Sequence, residues 1–217
     1  MTPVTPWFQT NLGMRVLTAV VGGPLVIGLI LYAWWTTALV IVGAIGLAAF
    51  EYAYIVHQQP SISWRNILFG VGYFTAPLMA TLWLRSLGYE WFLVLIAGSW
   101  ATDAAAYVSG RLFGKTPFVP RISPKKTWEG VMGGFSCGAS AVVAVAAITG
   151  LPIRWDVILL AGLIPIATIL GDLLESKIKR RFKVKDSGHI LPGHGGMLDR
   201  IDGILLAAPL AALIVAL

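Results

Sequence analysis

A dense group of polar side chains interrupts an otherwise apolar chain near its C-terminal end. Between Ser176 and Asp202, seven Lys/Arg, two His, four Gly and three Asp occur within 27 residues. Lys and Arg bind phosphate oxygens, glycines let backbone N–H groups approach those oxygens, and carboxylates hold hard divalent cations. This segment therefore predicts a site for a polyphosphate that carries a divalent metal ion.

Carboxylates occur in pairs at two predicted helix ends. Asp172 and Glu175 are three residues apart, as are Asp199 and Asp202, so each pair shares one face of a helix. Asp103 lies inside a predicted membrane span, where a charge is costly and often functional. Together these acids could build an oxygen-ligand site of the kind that binds Mg²⁺, and the predicted ligands are Asp172, Asp199, Asp202 and Asp103. The alternative is that some of them form structural salt bridges with neighbouring arginines.

A second basic segment precedes the fifth predicted span. Ser123 and Pro124 are followed by Lys125, Lys126 and Thr127. A proline near a helix start, together with hydroxyl and ammonium groups, is typical of a phosphate-binding helix N-terminus. The alternative is an ordinary juxtamembrane loop that rests on anionic lipid headgroups.

His194 is flanked by glycines in the C-terminal segment. Such a histidine could contact a phosphate or transfer a proton. A zinc site is not expected, because the chain has three His and one Cys. The sequence contains neither a Walker A loop nor a Gly-x-Ser-x-Gly elbow.

The elements that position these residues are predicted to be membrane helices. The chain is 57% hydrophobic and 12% charged, with a mean hydropathy of +0.79. No charged residue occurs in 16–50, 131–151 or 203–217. Because a bilayer core of about 30 Å needs about 20 apolar helical residues, a soluble domain is excluded. We predict an all-α, polytopic bundle of about seven transmembrane helices, at 15–34, 36–56, 66–84, 91–109, 128–149, 156–173 and 203–217.

Two details of this bundle follow from residue types. The uncharged run 16–50 is too long for one helix, and the aromatic residues Tyr32, Trp34 and Trp35 favour an interfacial turn near its middle. Small residues such as Gly134 and Gly138 are predicted to permit close contact between helices.

The positions of Lys and Arg predict the orientation. With a cytoplasmic N-terminus, 14 of the 16 basic residues lie on the cytoplasmic side, and Arg85 and Arg154 lie outside. The loops 110–127 and 174–202 are then both cytoplasmic. We therefore expect a multi-pass protein of the cell (inner) membrane with its site facing the cytoplasm. The chain is predicted to form one membrane domain, 1–217, with N-terminal helices in 1–97 and a catalytic core in 98–205.

The motifs resemble those of the phosphatidate cytidylyltransferase (CDP-diacylglycerol synthase) family. That family carries Ser-x-x-Lys-Arg, Lys-Asp-Ser-Gly, Pro-Gly-His-Gly-Gly and a closing Asp-Arg-x-Asp. The chain has these pieces at 176–180, 185–188, 192–196 and 199–202, and further matches at 123–127, 129–130, 133–134 and 170–172. The resemblance covers roughly residues 98–205. The chain departs from it at Asp103-Ala104, where the family usually has Asp-Ser or Asp-Thr, and is shorter than typical members.

The resemblance implies a reaction and a set of residue roles. A phosphate oxygen of phosphatidic acid would attack the α-phosphorus of CTP and give CDP-diacylglycerol and pyrophosphate, as in phospholipid biosynthesis. Asp172 and Asp199 would hold Mg²⁺, and Asp202 would assist them or hold a second cation. The implied catalytic residues are Asp172, Asp199, Lys126, Lys185 and His194. The implied CTP-binding residues are Ser123, Lys126, Thr127, Lys185, Asp186, Gly195, Gly196 and Arg200. The partners would be CTP, phosphatidic acid and membrane lipid, with a homodimer allowed and no nucleic acid.

Two other readings remain open from the sequence. One is a related CTP-dependent enzyme that acts on an ether-lipid phosphate, or that phosphorylates a polyprenol or phytol. The other is a cation channel or transporter whose intramembrane acids line a path. The acids cluster at predicted cytoplasmic helix ends beside phosphate-binding residue types, which favours an enzyme.

Overall fold

The computed structural model describes residues 22–61, 63–184, 186–188, 190 and 195–217. Within these ranges the chain forms seven α-helices and one β-hairpin. The helices are α1 (Gly23–Tyr32), α2 (Trp34–His57), α3 (Trp64–Leu87), α4 (Tyr89–Phe113), α5 (Trp128–Thr149), α6 (Trp155–Arg181) and α7 (Leu198–Ala216). The strands are β1 (Pro117–Val119) and β2 (Ser123–Thr127). The start of the predicted span 15–34 and the predicted site residues Lys185 and His194 lie outside the described residues.

Five of the described helices, α2 to α6, are long and apolar enough to cross a membrane. They contain 22 to 27 residues, and the mean hydropathy of their most apolar stretches is 1.3 to 2.3. No more than 44% of any such stretch is buried inside the protein, so apolar side chains cover the outside of the bundle. This surface indicates a membrane protein and confirms the all-α prediction. The predicted number of seven spans stays a prediction, because α1 has ten described residues and α7 begins with charged ones.

The helical backbone is interrupted at Ala33, between α1 and α2, inside the region where the sequence predicts a turn. Helix ends leave carbonyl groups without partners, which is costly in a membrane. Thr37 Oγ1 donates to the Ile30 carbonyl at 3.0 Å, and Thr36 Oγ1 donates to the Ala33 carbonyl at 2.7 Å. Arg85 Nε donates to Thr37 Oγ1 at 3.1 Å, which ties the break to α3.

The packing of α4 against α5 is the most extensive helix contact in the described protein. A Cβ atom on Gly134 would lie 2.8 Å from the Thr102 carbonyl oxygen, and one on Gly138 would lie 3.1 Å from the Gly98 carbonyl oxygen. The two backbones approach this closely because both glycines lack side chains. The predicted role of these small residues is confirmed.

The structure corrects the boundaries of both predicted polar loops. The prediction of a loop beginning at residue 174 is wrong, because α6 continues to Arg181. Residues 123–127, expected in a loop before the fifth span, form β2, which pairs antiparallel with β1. Helix α5 begins at Trp128, where the predicted span 128–149 begins. Thr127 is the residue that caps α5, and its Oγ1 accepts a hydrogen bond from the Gly130 N–H at 3.2 Å. Pro124 thus lies in an edge strand, where a proline is tolerated.

Candidate active site

Two glycines set a close crossing of α6 and α7. A Cβ atom on Gly171 would lie 2.5 Å from the Asp202 carbonyl oxygen, and one on Gly203 would lie 3.2 Å from the Thr168 Cα. Neither position has room for a side chain, so the two backbones touch. Because Asp172 follows one glycine and Asp202 precedes the other, the crossing brings their carboxylates together.

An acidic group forms at this crossing. Asp172, Glu175 and Asp202 each place a carboxylate oxygen within 4.8 Å of the other two. Asp202 is buried, and Glu175 is 1% exposed. Among the described residues, Glu175 Oε1 has no hydrogen-bond partner. Three clustered carboxylates, one of which has a buried oxygen without a hydrogen-bond partner among the described residues, fit the ligand preference of a hard divalent cation such as Mg²⁺.

The β-hairpin brings a lysine to the acidic group. Lys126 Nζ lies 2.5 Å from Asp172 Oδ2, and both side chains are partly exposed. The other Asp172 oxygen accepts a hydrogen bond of 3.4 Å from Ser176 Oγ. The two polar segments that the sequence singles out therefore meet in one place.

Asp199 lies beside the acidic group rather than within it. Its Oδ1 accepts from Lys179 Nζ at 2.7 Å, and its Oδ2 accepts from the backbone N–H groups of Ser187 and Gly196, both at 3.3 Å. Lys179 also lies 2.8 Å from Glu175 Oε2. Asp199 precedes the apolar part of α7. Burial raises the pKa of its carboxyl, but the hydrogen bond from Lys179, the Lys179 charge and the hydrogen bond from the Ser187 N–H outweigh burial and bring the pKa to about 2.

A cavity of about 1330 Å³ opens against the acidic group. Its apolar wall comes from α1, α2 and α4, with residues such as Ile30, Ile41, Ile45, Phe92 and Ile96. Its polar wall contains Asp103, Arg111, Lys125, Lys126, Thr127, Asp172, Glu175, Lys179, Asp199, Arg200 and Asp202. The cavity thus suits a ligand with one charged end and one apolar end.

The remaining predicted site residues take different positions. Asp103 and Arg200 are exposed on the cavity wall. Gly195 has a left-handed backbone, with φ of +89°, and Gly196 is buried beside Asp199. Asp186 is exposed, and neither it nor Ser123 is among the described residues that line the cavity.

Two residues, Glu51 and Lys179, belong to this site although their sequence positions did not predict it. Glu51 is 3% exposed in α2 and contacts the loop before α7. A signal for it was present, because Glu51 ends the long uncharged run inside a predicted span, where an acid is expected to be functional. Lys179 lies within a run of basic residues, and nothing in the sequence distinguishes it from its neighbours.

The fold and the site define a polytopic α-helical membrane protein in which carboxylates and lysines share one cavity. The sequence model of the cytidylyltransferase family matches residues 63–217. The chain therefore belongs to the cytidylyltransferase family.

Curated relatives carry the name phosphatidate cytidylyltransferase. The protein of Brucella suis biovar 1 is 46% identical over 123 residues, which are 57% of this chain and 46% of that relative. The protein of Mycobacterium bovis is 44% identical over 130 residues, which are 60% of this chain and 42% of that relative. The chain thus matches less than half the length of these curated relatives.

Proposed function

We propose that the protein transfers a cytidylyl group from CTP to phosphatidic acid, which gives CDP-diacylglycerol and pyrophosphate. The observation that carries the proposal is the single cavity that joins the Lys126–Asp172 pair to an apolar wall from α1 and α2. Membership of the cytidylyltransferase family and the names of the curated relatives support the same activity.

The two walls of the cavity match the two ends of the proposed substrates. The triphosphate of CTP and the phosphate of phosphatidic acid are anionic, so Lys125, Lys126, Lys179 and Arg200 provide complementary charge. Acyl chains are apolar and fit the wall formed by α1 and α2. In this proposal a lipid substrate approaches this wall from the bilayer, in which the apolar outer surface of the helices lies.

The proposed step is an in-line displacement at phosphorus. A phosphate oxygen of phosphatidic acid forms a bond to the α-phosphorus of CTP, and the bond from that phosphorus to the bridging oxygen of pyrophosphate breaks. Phosphoryl-type transfer depends on positioning and charge neutralisation, so the protein needs no covalent nucleophile. In this proposal Lys126 and Arg200, which both line the cavity, hold the phosphates of the two substrates close to each other.

We propose Mg²⁺ as the cofactor of this site. The residues that would hold it are Asp172, Glu175 and Asp202, whose oxygens are clustered. When bound, the ion would neutralise charge on the phosphate oxygens. The metal-ligand role expected of Asp199 stays a prediction, and its hydrogen bonds favour a role in holding Lys179 and the loop. Asp103, on the same polar wall of the cavity, is the candidate for a second cation.

The orientation of the protein in the membrane is proposed from the distribution of its basic residues, not from contacts within the protein. We propose seven spans, a cytoplasmic N-terminus and a site that faces the cytoplasm of the cell membrane, because this arrangement places 14 of 16 basic residues inside. CTP then reaches the cavity from the compartment that supplies nucleotides. The homodimer allowed by the resemblance stays a prediction.

Labelled nucleotides test the activity. Purified protein in neutral detergent would receive phosphatidic acid, Mg²⁺ and CTP labelled either at the α- or at the γ-phosphorus. We expect α-label in the lipid product and γ-label in pyrophosphate, with no product when diacylglycerol replaces phosphatidic acid. Transfer of γ-label to a polyprenol would identify a lipid kinase instead. Preference for an ether-lipid phosphate over the diacyl lipid would change the proposed substrate but not the chemistry.

A further inference from the structure

A buried carboxylate on α2 holds the loop that precedes α7. Glu51 Oε1 accepts from the Met197 N–H at 3.0 Å, and Oε2 accepts from the Leu198 N–H at 2.9 Å and from Ser187 Oγ at 3.1 Å. These two N–H groups lie at the start of α7, where a helix has unpaired donors and favours a negative charge. Glu51 therefore binds the helix start and the loop together.

The same loop is held from its other side by Asp199. Ser187 donates its hydroxyl to Glu51 and its backbone N–H to Asp199. Gly196 donates to Asp199, and the two residues after it donate to Glu51. The segments 186–188 and 195–198 are thus fixed between two carboxylates, one from α2 and one from α7.

The fit of Glu51 against the loop leaves no space for side chains. A Cβ atom on Gly196 would lie 2.8 Å from Glu51 Oε2, and one on Gly188 would lie 2.5 Å from Glu51 Oε1. The carboxylate therefore lies directly against the loop backbone. This contact fixes the loop position more tightly than a flexible surface contact would.

We propose that Glu51 is a positioning residue for nucleotide binding. The effect on CTP kinetics that we expect from this role rests on the proposed function. Glu51 holds the loop, the loop N–H groups hold Asp199, and Asp199 holds Lys179 against Glu175. Glu51 lies outside residues 63–217, the part of the chain that matches the family model. The N-terminal helices thus complete a site whose chemistry lies in the C-terminal part.

Amide exchange and kinetics of three variants test this role. Glu51→Gln keeps the size of the side chain but turns an NH₂ group towards backbone donors, Glu51→Asp keeps the charge, and Ser187→Ala removes one of the three contacts. Glu90→Gln is the matched control, because Glu90 lies in the first turn of α4, away from Asp103 and the end of that helix. All variants are full-length protein in detergent, with thermal unfolding as a check on folding.

We expect Glu51→Gln to accelerate hydrogen exchange at the Met197 and Leu198 amides by at least ~10-fold, as loss of hydrogen bonds to a charged group would. We also expect the KM for CTP to rise about 10-fold while the KM for phosphatidic acid changes less than about twofold. Glu51→Asp should recover part of both effects, and Ser187→Ala should give a smaller shift in the same direction. The Glu90→Gln variant should behave as wild type.

Three outcomes would overturn the inference. They are unchanged amide exchange in Glu51→Gln, faster exchange without a change in the KM for CTP, and an equal rise in both KM values. If Glu51→Gln does not fold, Glu51→Asp and Ser187→Ala still decide between these outcomes. A wild-type protein that makes no CDP-diacylglycerol would refute the proposed function, and the exchange data would still show whether Glu51 holds the loop.

Discussion

Lys126 Nζ lies 2.5 Å from Asp172 Oδ2, and this ion pair joins the β-hairpin to α6. It lies near the end of α6 that we propose faces the cytoplasm. The pair combines a cation suited to phosphate with a carboxylate suited to a metal ion. Both lie on the wall of one cavity, beside the crossing of α6 and α7.

Removal of the hairpin lysine should weaken CTP binding specifically. We expect Lys126→Ala to raise the KM for CTP or lower kcat by about 10-fold, because a hydrogen bond to a charged group contributes about 1.5–3 kcal/mol. Lys177→Ala is the matched control, since Lys177 is exposed on α6 and lies outside the cavity lining. Steady-state kinetics in neutral detergent removes the anionic lipid surface. Equal, small effects in both variants would favour a simple lipid-surface role for the hairpin.

Neutralisation of the crossing carboxylate should remove most activity. We expect Asp172→Asn to reduce kcat by at least ~10²-fold, the scale for loss of an important electrostatic interaction with the transition state. Asp156→Asn is the control, because it makes the same change in the first turn of the same helix, far from the site. Near-normal activity of Asp172→Asn at ordinary Mg²⁺ would reduce Asp172 to a structural partner of Lys126.

The two acids of α7 should differ in their response to metal. Asp202→Asn should raise the Mg²⁺ concentration needed for half-maximal activity, because Asp202 belongs to the clustered oxygen group. Asp199→Asn should leave that concentration nearly unchanged and should raise the KM for CTP, because Asp199 binds Lys179 and loop N–H groups. Activity is measured for both variants as a function of the Mg²⁺ concentration and, at saturating Mg²⁺, of the CTP concentration. The reverse pattern would place the ion at Asp199.

The glycine crossing should tolerate no side chain. Gly171→Ala would place its Cβ 2.5 Å from the Asp202 carbonyl oxygen, so we expect a loss of about 1–3 kcal/mol in stability from overpacking. We also expect reduced activity, because the carboxylates of Asp172 and Asp202 would move apart. Gly162→Ala on the same helix is the control, because nothing lies within 4 Å of its added Cβ. Thermal unfolding and activity assays would measure both effects. Equal stability and activity in the two variants would show that the close contact at Gly171 is not required.

Cysteine labelling tests the proposed orientation. Single cysteines introduced as Pro120→Cys, Ile190→Cys, Ser86→Cys and Ile153→Cys, in a Cys137→Ser background, report on three connections between helices and on the last turn of α3. We expect a membrane-impermeant thiol reagent to label positions 86 and 153 from outside, and positions 120 and 190 only after the membrane is opened. Labelling of position 120 from outside would reverse the orientation and the side from which CTP enters.

The sequence by itself determined the membrane character, most helix positions and the residue types of the site. Uncharged runs such as 131–151 report directly on burial in lipid, and the break near Tyr32–Thr37 follows from local aromatic and hydroxyl residues. These properties depend on composition over one helix length, so they are visible without knowledge of the fold. The motifs around Lys126 and Asp172 were visible because each is a short, contiguous run of residues.

Only the tertiary structure decided which of these residues share contacts. The glycine crossing of α6 and α7 groups Glu175 with Asp172 and Asp202, whereas the loop N–H groups and Lys179 occupy Asp199. The sequence could not separate these acids, because both pairs have the same helical spacing. Glu51 reaches the loop from a helix far away in the chain. Whether a carboxylate meets another carboxylate or a backbone donor depends on helix packing, and that packing is set by contacts between distant residues.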